Sequence, residues 1–183
     1  MKKKVKEPRA RQFMYVQDLD HLKVKEDDLS DILNKSGALE WVYINHDKDP
    51  KKDEDGKIIR PHIHAVLKYE NPQKVSTVAN LFKDQSQYVD VWKGRIANAY
   101  SYLLHETEEA REQGKHVYKA SEAVASFDFP ARMKSIRAKI TKSPKYISSL
   151  VDQYAEGKLT YDELEQLIGV SQLARRKKLI DQI

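Results

Sequence analysis

The chain has 183 residues, 40% hydrophobic and 33% charged, which is enough apolar material for one packed domain and a small additional region. Its 33 Lys and Arg against 28 Asp and Glu give a formal net charge of +5, a modest basic bias that permits nucleic-acid binding without establishing it. The lack of cysteine excludes disulfides and thiolate-rich zinc sites, and the sequence shows no transmembrane-length run, secretory signal or phosphate-binding Gly-x-x-x-x-Gly-Lys-Ser/Thr loop. We therefore expect a cytoplasmic protein that is neither membrane-bound nor an NTPase.

The N-terminal segment is strongly basic. Its cationic residues are Lys2, Lys3, Lys4, Lys6, Arg9 and Arg11. We interpret residues 1–10 as a basic tail with solvated charges. Farther along, the pattern predicts a strand over Gln12–Gln17 and a helix near Glu26–Lys35, with Asp27 and Asp28 in its first turn.

An apolar run with aromatic residues predicts a strand over Leu39–Asn45, which ends in His46-Asp47-Lys48-Asp49-Pro50. A charged loop containing glycine follows and leads directly into another strand, so the connection resembles a hairpin. An antiparallel hairpin returns His46 and Asp49 towards the start of that next strand. Turn formation beside Pro50 is the alternative role for Asp47 and Asp49.

The next predicted strand, His62–Tyr69, begins with His62-Ile63-His64. Side chains in a strand alternate between the two faces, so both imidazoles point to one face while Ile63 and Leu67 point to the other. The two rings can then share one cation, or they can simply face water. With His46 and Asp49 nearby, the donor set suits Mn²⁺, Mg²⁺ or Zn²⁺.

The following segment predicts a helix near Lys74–Phe82 and a strand over Tyr88–Trp92. Trp92 is followed by Lys93 and Arg95, and a ring beside cations is typical of single-stranded nucleic-acid binders. A tryptophan that ends a strand is also typical of a core residue.

Residues 95–107 predict a helix with two differently placed tyrosines. Tyr100 shares the apolar stripe with Leu103, whereas Tyr102 lies about 200° farther round the helix and faces the polar side. A phenol in that position is either a surface residue or a reacting group. His105, three residues after Tyr102, is predicted to share its helical face.

After Phe127 the pattern predicts helices only. Ser143-Pro144 starts one helix and Gly157 ends it, and Thr160 with Glu163 forms a capping box for another that stops at Gly169. Ser171 opens a third helix carrying the basic run Arg175, Arg176, Lys177 and Lys178. The last two helices suggest a helix-turn-helix. Their apolar stripe of Leu164, Leu167, Ile168, Leu173 and Ile180 is equally suited to pairing subunits.

Together these elements predict an α+β fold with an antiparallel central sheet, helices on one of its faces and a histidine face left open. We divide the chain into the basic tail (1–10), a sheet domain (11–127) and a C-terminal helical region (128–183).

Three motifs occur in a fixed order: His46-Asp47-Lys48-Asp49, then His62-Ile63-His64, then Tyr102-Leu103-Leu104-His105-Glu106, with His116-Val117-Tyr118 following. In this order the chain resembles the HUH endonucleases, specifically the replication initiators of rolling-circle plasmids from Gram-positive bacteria. The resemblance covers about residues 11–120. Leu104 departs from it, because the family usually has threonine at that position.

The resemblance implies a ferredoxin-like sheet, a divalent metal ion (Mn²⁺ or Mg²⁺) held by His46, Asp49, His62 and His64, and Tyr102 as the nucleophile. It implies site-specific nicking of single-stranded or hairpin origin DNA, giving a 5′-phosphotyrosine and a free 3′-OH primer, with strand rejoining at termination. A host helicase and polymerase would be partners, and the C-terminal helices would support oligomerisation. We also consider a mobilisation relaxase, a single-tyrosine transposase and a non-catalytic DNA-binding regulator.

Overall fold

A computed structural model describes residues 7–50, 52, 56, 58–141, 143–169, 173–176 and 180. The chain divides into two compact units, Met1–Met133 and Lys134–Ile183. Among the described helices, none combines the length and the apolar character needed to cross a membrane.

The first unit is built on a sheet. Its strands are β1 (Arg9–Asp18), β2 (Glu40–His46), β3 (His62–Lys74), β4 (Val89–Val91) and β5 (Val124–Ala125). The helices include α1 (Leu29–Asn34), α2 (Val75–Leu81), α3 (Ile96–Leu103), α4 (Glu108–Glu112), α5 (Phe129–Thr141), α6 (Pro144–Ala155) and α7 (Tyr161–Ile168), and residues 173–176 are also helical. Short 3₁₀ turns lie at Leu19–His21, Glu26–Asp28, Ser86–Tyr88 and Ala120–Glu122.

The strand order is β4-β1-β3-β2-β5, and each neighbouring pair is antiparallel. From β1 to β4 the chain follows the β-α-β-β-α-β course of a ferredoxin-like sheet. The predicted α+β class and the β2–β3 hairpin are therefore confirmed. Strand β5 was not predicted, because two residues pairing with Val42 and Tyr43 leave no periodic signal in the sequence.

One face of the sheet carries the main hydrophobic core. Ile63, Ala65 and Leu67 of β3 are fully buried there, against residues of α1 and α2. Alternation along β3 places the odd-numbered residues in this core and leaves His62 and His64 on the opposite face. The predicted division of β3 into an apolar face and a histidine face is confirmed.

Helix α3 lies on the histidine face, so the prediction that helices cover only one face is wrong. The Tyr100 hydroxyl donates to Glu40 of β2 over 3.0 Å, and the Leu103 carbonyl lies 2.8 Å from a ring nitrogen of His46. Tyr100 and Leu103 are also almost completely buried. The apolar stripe of α3 needs a partner, and it finds one on the side of the sheet opposite α1 and α2.

Several element boundaries differ from the sequence predictions. Helix α3 ends at Leu103 rather than Thr107, strand β3 continues to Lys74, and the predicted helix at 26–35 begins with a 3₁₀ turn. Strand β1 starts at Arg9 and pairs it with Lys74, so the sheet extends into residues 9–10 of the predicted tail. Residues 1–6 of that tail lie outside the described residues.

The second unit has its own small core. Helix α6 is capped by the Ser143 hydroxyl, and α7 begins with the predicted capping box of Thr160 and Glu163 and ends at Gly169. This core contains Leu150, Val151, Leu164, Leu173 and Ile180. Most of the predicted apolar stripe is therefore used within the unit, while Leu167 stays exposed. Residues 170–172 and 177–179, including Ser171, Lys177 and Lys178 of the suggested helix-turn-helix, lie outside the described residues.

A charged cluster centred on Glu40 ties α3 and α5 to the sheet. The Glu40 carboxylate, only 16% exposed, accepts hydrogen bonds from Tyr100 (3.0 Å), Arg132 (2.9 Å) and Lys68 (3.3 Å). Burial favours the neutral acid, but the bonds from Arg132 and Tyr100 and the nearby positive charges outweigh it and lower the pKa of Glu40. The cluster therefore stabilises the fold only while Glu40 is ionised.

We expect Glu40→Gln to destabilise the protein at pH 7 by about 1–3 kcal/mol, the usual size for losing a charged hydrogen-bond partner. Because the folded-state pKa lies below the ordinary value of 4.5, the contribution is complete above that value and is lost as the pH falls through the lower, folded-state pKa. Urea unfolding from pH 7 down to acid should show the difference between wild type and variant shrinking. A difference that stays constant with pH would contradict this account.

Candidate metal and tyrosine site

The hairpin of β2 and β3 brings three imidazoles together at one end of the sheet. His46 lies directly opposite His62 in the register, and Ile44 lies opposite His64. One ring nitrogen from each of His46, His62 and His64 falls within 4.8 Å of the others. The three predicted imidazole ligands are thus brought to one place.

Two backbone carbonyls determine which ring nitrogens are free. A carbonyl oxygen only accepts, so His46 Nε2–H donates to Leu103 (2.8 Å) and His62 Nδ1–H donates to Arg60 (2.7 Å). The remaining nitrogens, His46 Nδ1 and His62 Nε2, therefore carry lone pairs and lie 3.3 Å apart. Two lone pairs at that distance repel each other unless a positive charge lies between them, so this arrangement suits a cation.

His64 completes the donor set. Its side chain is buried, and its Nδ1 has no hydrogen-bond partner among the described residues. Burial and then the neighbouring His46 hold the pKa of His64 well below its ordinary value, and burial lowers the pKa of His46 to about 3. Both rings are neutral at physiological pH, which is the form that binds metals.

Asp49 lies beside this group rather than within it. It forms an adjoining group with His46 and His105, in which its Oδ1 is 3.3 Å from His105 Nδ1 and accepts from the backbone of His116. Its other carboxylate oxygen, Oδ2, is buried with no hydrogen-bond partner among the described residues. The two groups share His46, so Asp49 is next to the three histidines and has one oxygen available.

The sequence predicted that His105 shares a helical face with Tyr102, and this prediction is wrong. Helix α3 ends two residues earlier, and His105 has the left-handed backbone angle φ 55°, which is uncommon for a residue with a side chain. Its ring is only 2% exposed and donates through Nδ1 to the His116 carbonyl. These contacts hold it beside Asp49 and His46.

Tyr118 packs against the same group. Its ring is stacked on His46, with centroids 4.7 Å apart, and its hydroxyl accepts the backbone N–H of Lys48 over 2.9 Å. The backbone N–H of Tyr118 in turn donates to Leu104, the residue at which the sequence departs from the family pattern. Tyr118 thereby links the loop after β2 to the end of α3.

Tyr102 lies next to the histidine group, whereas Tyr100 lies away from it. The Tyr102 ring centroid is 5.7 Å from that of His64 and 6.0 Å from that of Trp92. Tyr100 is 1% exposed and bound to Glu40, as expected for the core tyrosine. The predicted difference between the two tyrosines is confirmed.

The surroundings of Tyr102 keep its phenol protonated. Burial raises its pKa, and the negative charges of Glu109 and Asp90 raise it further. Tyr102 is nevertheless partly exposed, so a substrate can approach it. Attack by its oxygen requires that this proton be removed during the reaction.

Two basic side chains near the site are paired with carboxylates. Lys48 is paired with Glu122, and Arg60 lies 3.5 Å from Asp20. Lys93 and Arg95 are exposed beside Trp92, whose indole N–H donates to the Arg95 carbonyl. Lys51 and Lys57 of the basic loop lie outside the described residues.

Some parts of the site could not be read from the sequence. The Leu103 and Arg60 carbonyls act through the backbone, so no side-chain pattern reveals them. The role of His105 depends on a helix that ends early, and the ring of Tyr118 was noted only as part of a motif. For the side chains that support the three histidines, the only signal in the sequence was the spacing of His105 and His116 from those histidines.

The first unit thus combines a ferredoxin-like sheet with a three-histidine group and a partly exposed tyrosine beside it. Residues 5–130 match the family described as plasmid replication protein, origin binding domain, and the chain belongs to this family. It is also 31% identical over 104 residues to a replication protein of Onion yellows phytoplasma (strain OY-M). That alignment covers 52% of this chain and 26% of the relative, so the chain spans about a quarter of the relative's length.

We expect Mn²⁺ to raise the thermal unfolding temperature of the wild-type protein, since a ligand that binds only the folded state stabilises it. The gain is about 2.7 kcal/mol when the free ion is at 100 times its dissociation constant. His62→Ala and His64→Ala should each abolish most of the shift because each removes one donor. Differential scanning fluorimetry with increasing Mn²⁺ measures it.

His21→Ala tests the alternative site, because His21 is an exposed histidine that belongs with Asp18 and Asp20 to a separate group with metal-ligand spacing. It should keep the full Mn²⁺ response. A response lost in His21→Ala but retained in His64→Ala would place the cation elsewhere. Asp49→Asn tests the neighbouring carboxylate separately, and we expect it to weaken the response.

Proposed function

We propose that this protein is a metal-dependent, site-specific DNA nickase and strand-transferase that initiates rolling-circle plasmid replication. The observation that carries the proposal is the meeting of two imidazole lone pairs, His46 Nδ1 and His62 Nε2, at 3.3 Å, with the Tyr102 ring beside His64. Family membership independently supports a role in plasmid replication at the origin.

His46, His62 and His64 would hold the divalent ion, with Asp49 as the adjoining oxygen donor. Three nitrogen donors favour Mn²⁺ over Mg²⁺, which strongly prefers oxygen. When bound there, such an ion supplies positive charge that orients the phosphodiester and stabilises the negative charge developing on it. The unpartnered nitrogen of His64 and the unpartnered oxygen of Asp49 fit this use.

Tyr102 would act as the nucleophile. Its oxygen attacks the phosphorus and forms a phosphotyrosine bond to the 5′ end of the downstream strand, while its proton leaves to solvent. The bond from phosphorus to the 3′ oxygen breaks, and that oxygen takes up a proton to give a free 3′-OH. Because the phosphotyrosine keeps the bond energy, a second attack by a 3′-OH can rejoin the strand without ATP.

The free 3′-OH would prime a host polymerase, and a host helicase would unwind the duplex. This sequence carries no Gly-x-x-x-x-Gly-Lys-Ser/Thr loop, so unwinding driven by a P-loop NTPase is not expected of these residues. The substrate would be the origin strand, presented single-stranded or as a hairpin. A mobilisation relaxase or single-tyrosine transposase would use the same chemistry, but the family match to plasmid replication proteins favours the initiator.

The experiment is formation of a covalent protein–DNA adduct. We expect wild-type protein with Mn²⁺ and a labelled single-stranded oligonucleotide carrying its origin to give an adduct that survives denaturation. Tyr102→Phe should reduce it to background, because the variant lacks the attacking oxygen. Tyr100→Phe should retain it, since Tyr100 is buried and faces Glu40.

An adduct that persists in Tyr102→Phe and disappears in Tyr100→Phe would overturn the choice of nucleophile. If wild type forms no adduct with any candidate origin although it binds them, the non-catalytic regulator replaces the nickase. Omitting the metal should abolish the adduct and leave DNA binding measurable by fluorescence anisotropy.

A further inference from the structure

A cleft of about 770 Å³ opens beside the histidine group on the β1 and β4 side of the sheet. His62 forms part of its lining, together with Asp18 at the end of β1, Asp90 of β4 and Arg60 from the loop before β3. Its size falls within the range of small-ligand sites. The roles proposed above for the three histidines and Tyr102 leave this cleft without an assigned ligand.

The cleft is continuous with the proposed catalytic site. Asp18 lies directly opposite His62 in the β1–β3 register, and the lining residue Val16 lies opposite His64. Asp90 is close enough to Tyr102 for its charge to act on the phenol. A nucleotide next to a phosphate held between His62 and Tyr102 would therefore be adjacent to the cleft.

The chemistry of the lining suits a base rather than a phosphate. Carboxylates repel phosphate but accept hydrogen bonds from the exocyclic amino groups of cytosine and adenine. Asp18 is 36% exposed and Asp90 is exposed, so both can be reached. Val16 and the ring of Tyr88 add apolar surface to the same lining.

A metal ion is a poorer occupant of this region. Asp18, Asp20 and His21 do form a group with metal-ligand spacing. The Arg60 guanidinium already lies 3.5 Å from Asp20 and 3.9 Å from Asp18, so a cation is present beside these carboxylates. A second positive charge would be repelled there, whereas a neutral base would not.

We propose that this cleft binds one nucleobase of single-stranded DNA next to the phosphate that Tyr102 attacks, and that Asp18 and Asp90 select a base carrying an exocyclic amino group. The proposal rests on the proposed function, because it assumes that single-stranded DNA crosses the histidine face. It assigns a role in sequence recognition to the β1 and β4 side of the sheet.

The test is selection of DNA from a pool of single-stranded oligonucleotides randomised over their central region. The full chain carrying Tyr102→Phe is used to separate binding from cleavage, and bound DNA is sequenced. We expect at least one position to favour cytosine or adenine over thymine. Asp18→Asn and Asp90→Asn introduce an amide that can donate to thymine, and at least one of them should change that ratio by about fivefold or more.

Glu70→Gln is the matched control, because Glu70 is an exposed carboxylate of β3 outside the cleft lining. It should leave every base preference unchanged. An unchanged preference in both Asp18→Asn and Asp90→Asn, with thermal unfolding showing them folded, overturns the proposal, as does the absence of any preference in the parent.

Adduct formation by the wild-type chain, measured beside the base preferences, separates the two proposals. If base preference responds to Asp18→Asn or Asp90→Asn but no adduct forms, the cleft assignment stands and the nickase is wrong. If the adduct forms while base preference ignores both substitutions, the nickase stands and the cleft assignment is wrong.

Discussion

The register of the β2–β3 hairpin is the constraint on which the site depends. It sets His46 opposite His62, and the Leu103 and Arg60 carbonyls then fix the protonated nitrogen of each ring. A slip by one residue would turn His62 and His64 into the hydrophobic core and dismantle the group. The buried residues Ile63, Ala65 and Leu67 therefore protect the site indirectly, because their burial opposes such a slip.

The hydrogen bond from His46 to the Leu103 carbonyl also links the histidine group to helix α3. The Leu103 carbonyl belongs to the last residue of α3, one position after Tyr102, so the orientation of His46 and the placement of Tyr102 depend on one contact. At its other side α3 is held by the bond from Tyr100 to Glu40. The strained backbone of His105 lies where the chain turns back to make these contacts.

The sequence predicts the parts of this structure that follow from local periodicity. Alternation in β3 places His62 and His64 on one face, and the charged loop between β2 and β3 predicts the hairpin that brings His46 to them. The α+β class and the caps of α6 and α7 follow in the same way. What the sequence does not predict depends on contacts between distant segments: β5 exists only through its pairing with β2, and His105 leaves the helix because Asp49 and His116 hold its ring.

For a related reason, the sequence did not predict that α3 covers part of the histidine face. The apolar stripe of α3 shows that the helix packs on something, but amphipathicity alone does not say on which face of the sheet. The contact of Tyr100 with Glu40 shows which face α3 packs on, and Glu40 is a polar residue without a periodic pattern. The open part of that face is consequently narrower than predicted and lies towards β1 and β4.

The central claim is that two imidazole lone pairs meet at one point, and nitrogen-15 NMR of the histidine side chains tests it most directly. The account predicts that in metal-free protein at neutral pH His46 carries its proton on Nε2 and His62 carries its proton on Nδ1. Addition of diamagnetic Zn²⁺ should then shift the unprotonated nitrogens of these two rings far more than their protonated nitrogens, and should also shift a ring nitrogen of His64. The opposite tautomer at either histidine, or a Zn²⁺-induced shift larger at Nε2 of His46 than at its Nδ1, would contradict the account.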